Sequence, residues 1–347
     1  MEEELTITFY KIHKCGYYKN GKKEFGDISL TLKDISNWAV NIDSFVNTRL
    51  WNAEENGSKF ADLRQTYFYK YEIDSHLKDC LLVLWNEIPD VKGEVATLSK
   101  NKKINDNTHC KITRLPQDAV PGTASYFWFL LDKGYYATVC RKGRSSANNE
   151  MRLYLKRFLE MAASCCVRED KSDGTFVLKY KNPNNGIIDS KIMPFFQSSR
   201  AFRKGVIEYI QSNRARIKKL IRKQHVSNEV EERITGMKKM LMDLGIKKAE
   251  IPEDVDINTR YELEYTPNDA ELNDIINNWK SDSLTEYDDT GFVFEGEPDK
   301  MHWLSGEISR VRKTFDLNFI DKEIVAPVGL LKELTNNRES LVSILEE

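Results

Sequence analysis

No apolar run in these 347 residues approaches the roughly 18–20 needed for a membrane-spanning helix, so a helical membrane protein is excluded. The opening MEEELTITFY is acidic and lacks an apolar core, so a secretory signal is not expected. Cysteine is scarce. Cys15, Cys80, Cys110, Cys140, Cys165 and Cys166 follow no disulfide-framework spacing, and a reduced cytoplasmic protein is the simplest account. Histidine is scarcer, with five residues. The close pairs His13-x-Cys15 and His109-Cys110 lack the spacing that tetrahedral zinc sites use, while His76, His225 and His302 are scattered. The phosphate loop G-x-x-x-x-G-K-[ST], the dinucleotide turn G-x-G-x-x-G and the nucleophile elbow G-x-S-x-G are all absent. No catalytic residue, metal ligand or cofactor is therefore assigned.

Abundant charge takes their place. The net charge of −2 hides a split: through His225 there are 38 Lys+Arg against 26 Asp+Glu, and from Val226 onward 14 against 28. Residues 249–299 hold sixteen acids and two bases, Arg260 and Lys280. Such asymmetry points to a basic, ligand-facing part and an acidic part that solubilises, folds back onto the basic part or repels nucleic acid. The length suggests two domains, expected at 1–225 and 226–347.

The most basic stretch is 198–225, SSRAFRKGVIEYIQSNRARIKKLIRKQH. Wound as a helix, it aligns Phe202, Val206, Ile210, Ile217 and Leu220–Ile221 in one apolar stripe. Beside the stripe fall Arg200, Arg203, Lys204, Arg214, Lys218 and Arg222, with Arg216, Lys219 and Lys223 on the other flank. Nine bases face one acid, Glu208. Like charges four apart destabilise a helix by a few tenths of a kcal/mol per pair, so the field they make has a use, and phosphates are its commonest target. The plain alternatives are a solvated helix or an internal ion-pair partner.

Elsewhere the pattern alternates between strand and helix. Residues 5–12, 65–73 and 80–86 read as strands, and 29–47 as a helix. ASYFWFLL and YYATVC, joined at Asp132-Lys133-Gly134, read as a hairpin. Residues 91–113 are assigned no fixed structure. After the hairpin, Arg141-Lys142-Gly143-Arg144 precedes a helix N-terminus capped by Ser145 or Ser146, a setting that attracts anions as readily as it serves as an ordinary connection. A second hairpin spans 175–193. Further on, Asn228 with Glu231 resembles a capping box for a helix ending at Gly245. Residues 260–265 and 291–295 are candidate strands; 271–279, 300–315 and a segment from Pro327 to Leu345 are candidate helices. Asp173 and Asp189-x-Lys191 have the outline of a metal-dependent nuclease site, although Glu169-x-Lys171 fits the same short pattern. The run Tyr126-Phe127-Trp128-Phe129 fits a buried strand face better than a base-stacking platform.

The order of parts supports a resemblance. The opening ITFYKI…LTLKDISNWAV, the hairpin SYFWFLLDKGYYATVCRKG, the helix after it and the later basic stretch resemble the Rex exclusion protein A family of lambdoid phages. The DNA-binding component of the Kiwa defence system is similar in looser outline. The likeness spans the first two thirds, and the acidic stretch after Ala249 departs from it. It implies a cytoplasmic, oligomeric α+β protein, a homodimer, that binds DNA without strong sequence preference in phage exclusion or defence, with a membrane-effector protein as a further partner.

The sequence therefore predicts an α+β fold, with a β-rich N-terminal domain of hairpins and packed helices and a more helical, acidic C-terminal domain. It predicts a non-enzymatic nucleic-acid binder, DNA favoured, with no direct membrane insertion. The contact residues are expected at Arg200, Arg203, Lys204, Arg214, Lys218, Lys219, Arg222 and Lys223, joined by Arg141, Lys142 and Arg144. A metal-dependent nuclease and an interaction module whose basic helix pairs with acids of itself or a partner are the rivals.

Overall fold

The computed structural model describes residues 1–52, 63–74, 79–88, 94–99, 111–114, 119–171, 176–202, 205–226, 257–281, 289–320 and 324–345. The chain divides into two compact units, Met1–Ala201 with Ser309–Glu346, and Phe202–Ile308. The expected boundary at 225/226 falls instead inside a strand of the second unit.

The first unit opens with β1 (Glu2–Lys19) and β2 (Lys22–Phe25), then α1 (Ile28–Val40). Asp27 caps α1 by accepting from the Leu30 amide at 2.8 Å, an arrangement worth about 1 kcal/mol. Strands β3 (Thr66–Asp74), β4 (Asp79–Glu87), β5 (Glu94–Ser99), β6 (Lys111–Arg114), β7 (Ala119–Leu130) and β8 (Tyr135–Arg141) follow. β5 and β6 occupy a stretch expected to lack fixed structure. Helix α2 (Asn148–Met161) leads to β9 (Cys166–Asp170), β10 (Phe176–Lys181), β11 (Ile188–Asp189) and β12 (Met193–Arg200).

The main sheet runs β12-β1-β8-β7-β4-β3, antiparallel throughout. It is buried on both faces. Along β4, Cys80, Leu82 and Leu84 pack with α1 and α2, and Leu81, Val83 and Trp85 pack on the opposite face. That is why β4 reads as a continuous apolar run rather than an alternation. Truncating one such leucine to alanine costs about 2–5 kcal/mol.

The second unit holds α3 (Val206–Ser212), a 3-10 turn at Arg214–Arg216, β13 (Ile217–Val226), β14 (Ile257–Glu264), α4 (Asp269–Ser281), β15 (Asp289–Phe294) and β16 (Glu297–Trp303). Its sheet runs β14-β13-β15-β16. Ile207, Ile210, Ile217, Leu272, Ile276, Trp279, Phe292 and Phe294 form its core. The chain then returns to the first unit through β17 (Arg310–Asp316), β18 (Phe319–Ile320), β19 (Ile324–Val325), α5 (Pro327–Asn336) and α6 (Arg338–Val342). β17 pairs with β1, and Leu330, Leu331, Leu334 and Leu341 cover the second face of the main sheet.

The fold is thus α+β and strand-rich. One expectation is corrected. Residues 300–315, expected as a helix, form the end of β16, a 3-10 turn at Leu304–Glu307 and most of β17. Among the described residues after 226, β14 to β19 share the region with α4 to α6. The helix expected between Asn228 and Gly245 lies outside the described residues. Among the described residues no helix is long and apolar enough to cross a membrane.

Candidate nucleic-acid interface

The basic stretch is not one helix. Arg200 ends β12, the seven residues of α3 follow, and the remainder is the 3-10 turn and β13. Gly205, at φ 130°, breaks the winding before α3, and Asn213 ends it. Beyond that point Ile217 and Ile221 are both buried. A bulge after Ile217 sets Ile217 and Leu220 on the core face and Ile221 on the other, and the β-branched isoleucines favour the strand.

The change of structure redirects the charges. Arg214 bonds Asp269 at 2.6 Å and the carbonyl of Pro267 at 2.8 Å. Arg216 reaches Glu297 at 3.1 Å and the Glu295 carbonyl at 3.0 Å. Lys218 lies 3.4 Å from Glu295 and Lys219 3.8 Å from Glu262. Arg222 donates to Thr290 at 2.9 Å, and the Lys223 ammonium sits 4.0 Å over the Trp303 ring. Glu297 is the hub of this network. Hydrogen bonds from Tyr209 and His302 hold its carboxyl down at about 2. The second unit carries 22 acids and 16 bases over 202–308, so its basic strand lies among its own carboxylates. Arg203 and Lys204 lie outside the described residues.

The first unit has the opposite balance, 36 bases against 31 acids over 1–201 and 309–346. Here the register assembles a row of arginines. β12 and β17 lie end to end along the same side of β1: Arg200 stands opposite Tyr10, Arg310 opposite Thr8 and Arg312 opposite Thr6. Alternate strand residues share a face, so all three lie on the face that bears α2, at intervals of about 7 Å. Arg310 donates to Thr8 at 3.2 Å, and Arg312 is exposed.

Helix α2 is tied to this face through Tyr136. The buried Tyr136 hydroxyl donates to Asn148 at 2.8 Å and bonds Ser198 at 3.0 Å. Burial pushes its phenol up, and the Arg152 charge opposes that shift, which places Arg152 beside it. Before the helix, Lys142 and Arg144 are exposed in the turn after β8, whereas Arg141 is engaged by Glu3 at 3.1 Å and by the Phe319 ring at 5.0 Å. The N-cap is Ala147, at φ 49° and without a side-chain cap, not Ser145 or Ser146. Ser145 instead accepts from the Ala147 amide and from Arg64. The acid in the first turn, Glu150, is bound by Arg64 at 3.1 Å. Farther along the row's face, Glu4 and Glu2 stand opposite Thr314 and Asp316.

Of the expected contact residues, the structure thus places Arg200 on the face that bears α2, and Lys142 and Arg144 in the turn before that helix. It gathers Arg214, Lys218, Lys219, Arg222 and Lys223 separately in the second unit. Sequence reasoning missed Arg152, Arg310 and Arg312. The alternation Arg310-Val311-Arg312 is the signal for two cations on one strand face, and reading 300–315 as a helix hid it.

The nuclease outline does not assemble among the described residues. Asp189 is bonded to Lys19 at 2.6 Å, which holds its carboxyl below the usual range, Glu169 pairs with Lys179, and Asp173 lies outside the described residues. No group of three or more His, Cys, Asp or Glu side chains converges among the described residues. The run Tyr126–Phe129 is buried in the main sheet.

Comparison with protein-family models, with curated proteins and with solved structures found no match.

Proposed function

We propose that this chain is a non-enzymatic nucleic-acid-binding protein, DNA favoured, whose phosphate-contacting face lies on the first unit. The observation that carries the reading is the row Arg200, Arg310 and Arg312 on one sheet face, with Arg152 at the α2 side of it. Arginine is the side chain best suited to paired hydrogen bonds with phosphate oxygens. Phosphate contacts hold a nucleic acid without reading its bases, so binding is independent of sequence. Phage exclusion or defence in the cytoplasm, by a homodimer with a membrane-effector partner, is the setting that the resemblance implies and belongs to the same proposal.

The ion pairs of β13 favour a second reading for that strand alone: its cations serve internal pairing with acids of the same unit. One titration separates the two roles. If four arginines contact a duplex, the slope of log K against log[salt] is about −3.6. Changing Arg310 and Arg312 to Gln reduces it to about −1.8 and weakens all sequences alike. Reversing Arg214, Lys218 and Arg222 to Glu leaves the slope unchanged and loosens the second unit. Loss of binding in the β13 variant alone, or no salt-sensitive binding by the wild type, refutes the proposal.

A further inference from the structure

The helix and strand that flank the arginine row continue into a groove of about 520 Å³ in the first unit. That volume lies in the range of small-ligand sites. Its walls are Met161 of α2, Phe176 of β10 and Met193 and Phe195 of β12, with Lys156 and Arg157 on its α2 side. Phe176, Met161 and Met193 are 47%, 43% and 56% exposed, an unusual concentration of uncovered apolar surface for one face. Cations accompany the rings. The Arg168 guanidinium lies 4.2 Å from the centroid of Phe176, and the Lys14 ammonium 5.3 Å from that of Phe195. Two acids also stand here: Glu160, paired with Lys156 and Arg157, and Asp170, paired with Arg168.

Continuity with the row comes from α2. Lys156, on the groove wall, is one helical turn beyond Arg152. Aromatic faces interleaved with cations, opening onto a line of arginines, suit a polymer that is anionic along its backbone and flat and apolar in its side groups. An added peptide strand suits the groove less well. β12 is the edge of the sheet, but Pro194, its second residue, contributes no amide donor, and Lys14 and Lys191 put positive charge beside it.

We infer that this groove takes unpaired bases of a single-stranded nucleic acid, stacked against Phe176, while the arginine row holds the phosphates of the same strand. The inference rests on the proposed function and adds to it a preference for single strands. It is tested on the full chain by fluorescence anisotropy, with a labelled oligothymidine and a blunt duplex of equal length. Phe176→Ala weakens oligothymidine binding by roughly 5- to 150-fold, the worth of one stacked base, and leaves duplex binding unchanged. Phe176→Trp keeps single-strand binding. Phe176 and Met193 are both at the surface, so folding is not at stake. Oligothymidine binding indifferent to Phe176→Ala and Met193→Ala, but lost with Arg310 and Arg312, overturns the groove and leaves the arginine row standing. No salt-sensitive binding to either probe overturns both. Protection of β12 amides from hydrogen exchange by an extended apolar peptide, with none by the oligonucleotide, assigns the groove to a peptide and overturns the inference.

Discussion

Replacing Arg338 with alanine exposes how the chain's last helices are fastened to the main sheet. Asp79 opens β4 and is fully buried, and the Arg338 Nε lies 3.1 and 2.9 Å from its two carboxylate oxygens. The same guanidinium reaches Asp132 at 2.5 Å. Burial pushes the Asp79 carboxyl up, and Arg338 pulls it part of the way back. Removing the guanidinium leaves a buried carboxylate with its counter-charge gone, at a cost of about 3–5 kcal/mol. Asp132 is half exposed and adds little. The folded-state value of Asp79 lies above the unfolded one, so its penalty grows as pH rises and fades as pH falls through that value. The Arg338→Ala defect is therefore largest near neutrality and smallest in acid. Hydrogen exchange of β4 and β7 amides reads the stability of this unit without assuming that the two units unfold together. Adding Asp79→Asn to Arg338→Ala recovers part of the loss, because the double variant buries no lone charge. A neutral-pH loss under about 1 kcal/mol, the size of a surface pair, refutes the burial argument.

Two further outcomes are expected. Glu297, held at about 2 against an ordinary 4.5, stabilises the second unit fully above the higher value and progressively less as pH falls toward the lower. Exchange of β15 and β16 amides should quicken across that window in the wild type and lose this dependence in Glu297→Gln. Replacing 202–308 with a short Gly-Ser linker should leave the first unit folded by circular dichroism, because its entry and exit are already joined, the Ser309 amide donating to the Ala201 carbonyl at 2.9 Å. Aggregation of that shortened chain would show that the first unit has no independent core.

What the sequence made legible follows from how locally each feature is encoded. The β7–β8 hairpin was readable because two apolar, β-prone runs flank a Gly-containing turn, and each side chain's preference agrees with its burial. The run 80–86 announced β4 because both faces of that strand are covered. The pairing of β1 with β17, more than 290 residues apart, leaves no local mark. Nor does the return of the chain to the first unit, since charge changes sign near Val226 for reasons of ion pairing inside the second unit.

The basic stretch shows what charge density alone leaves out of account. A cation's value to a ligand depends on what else lies within a few ångströms, and β13 was delivered to carboxylates of β14 and of the segment around Glu295 and Glu297. Such pairs lower the field that a distant phosphate would feel, so the densest run of Lys and Arg in the chain is a poor guide to where a polyanion rests. Arg200 is placed elsewhere: it ends the strand that pairs with β1, and the register sets it beside Arg310 and Arg312. The row draws on residues 110 positions apart and on no run of charge longer than two. It exists only once β12 and β17 share one edge of β1. If that register is the cause, a one-residue slip of β17 turns Arg310 and Arg312 to the face of Leu5, Ile7 and Phe9, which buries them in the core and removes them from the row in one step. The row and the fold of the first unit are therefore coupled. Neutral substitutions at Arg310 and Arg312, which leave Val311 and Phe315 to hold the register, are for that reason the cleanest probe of the interface.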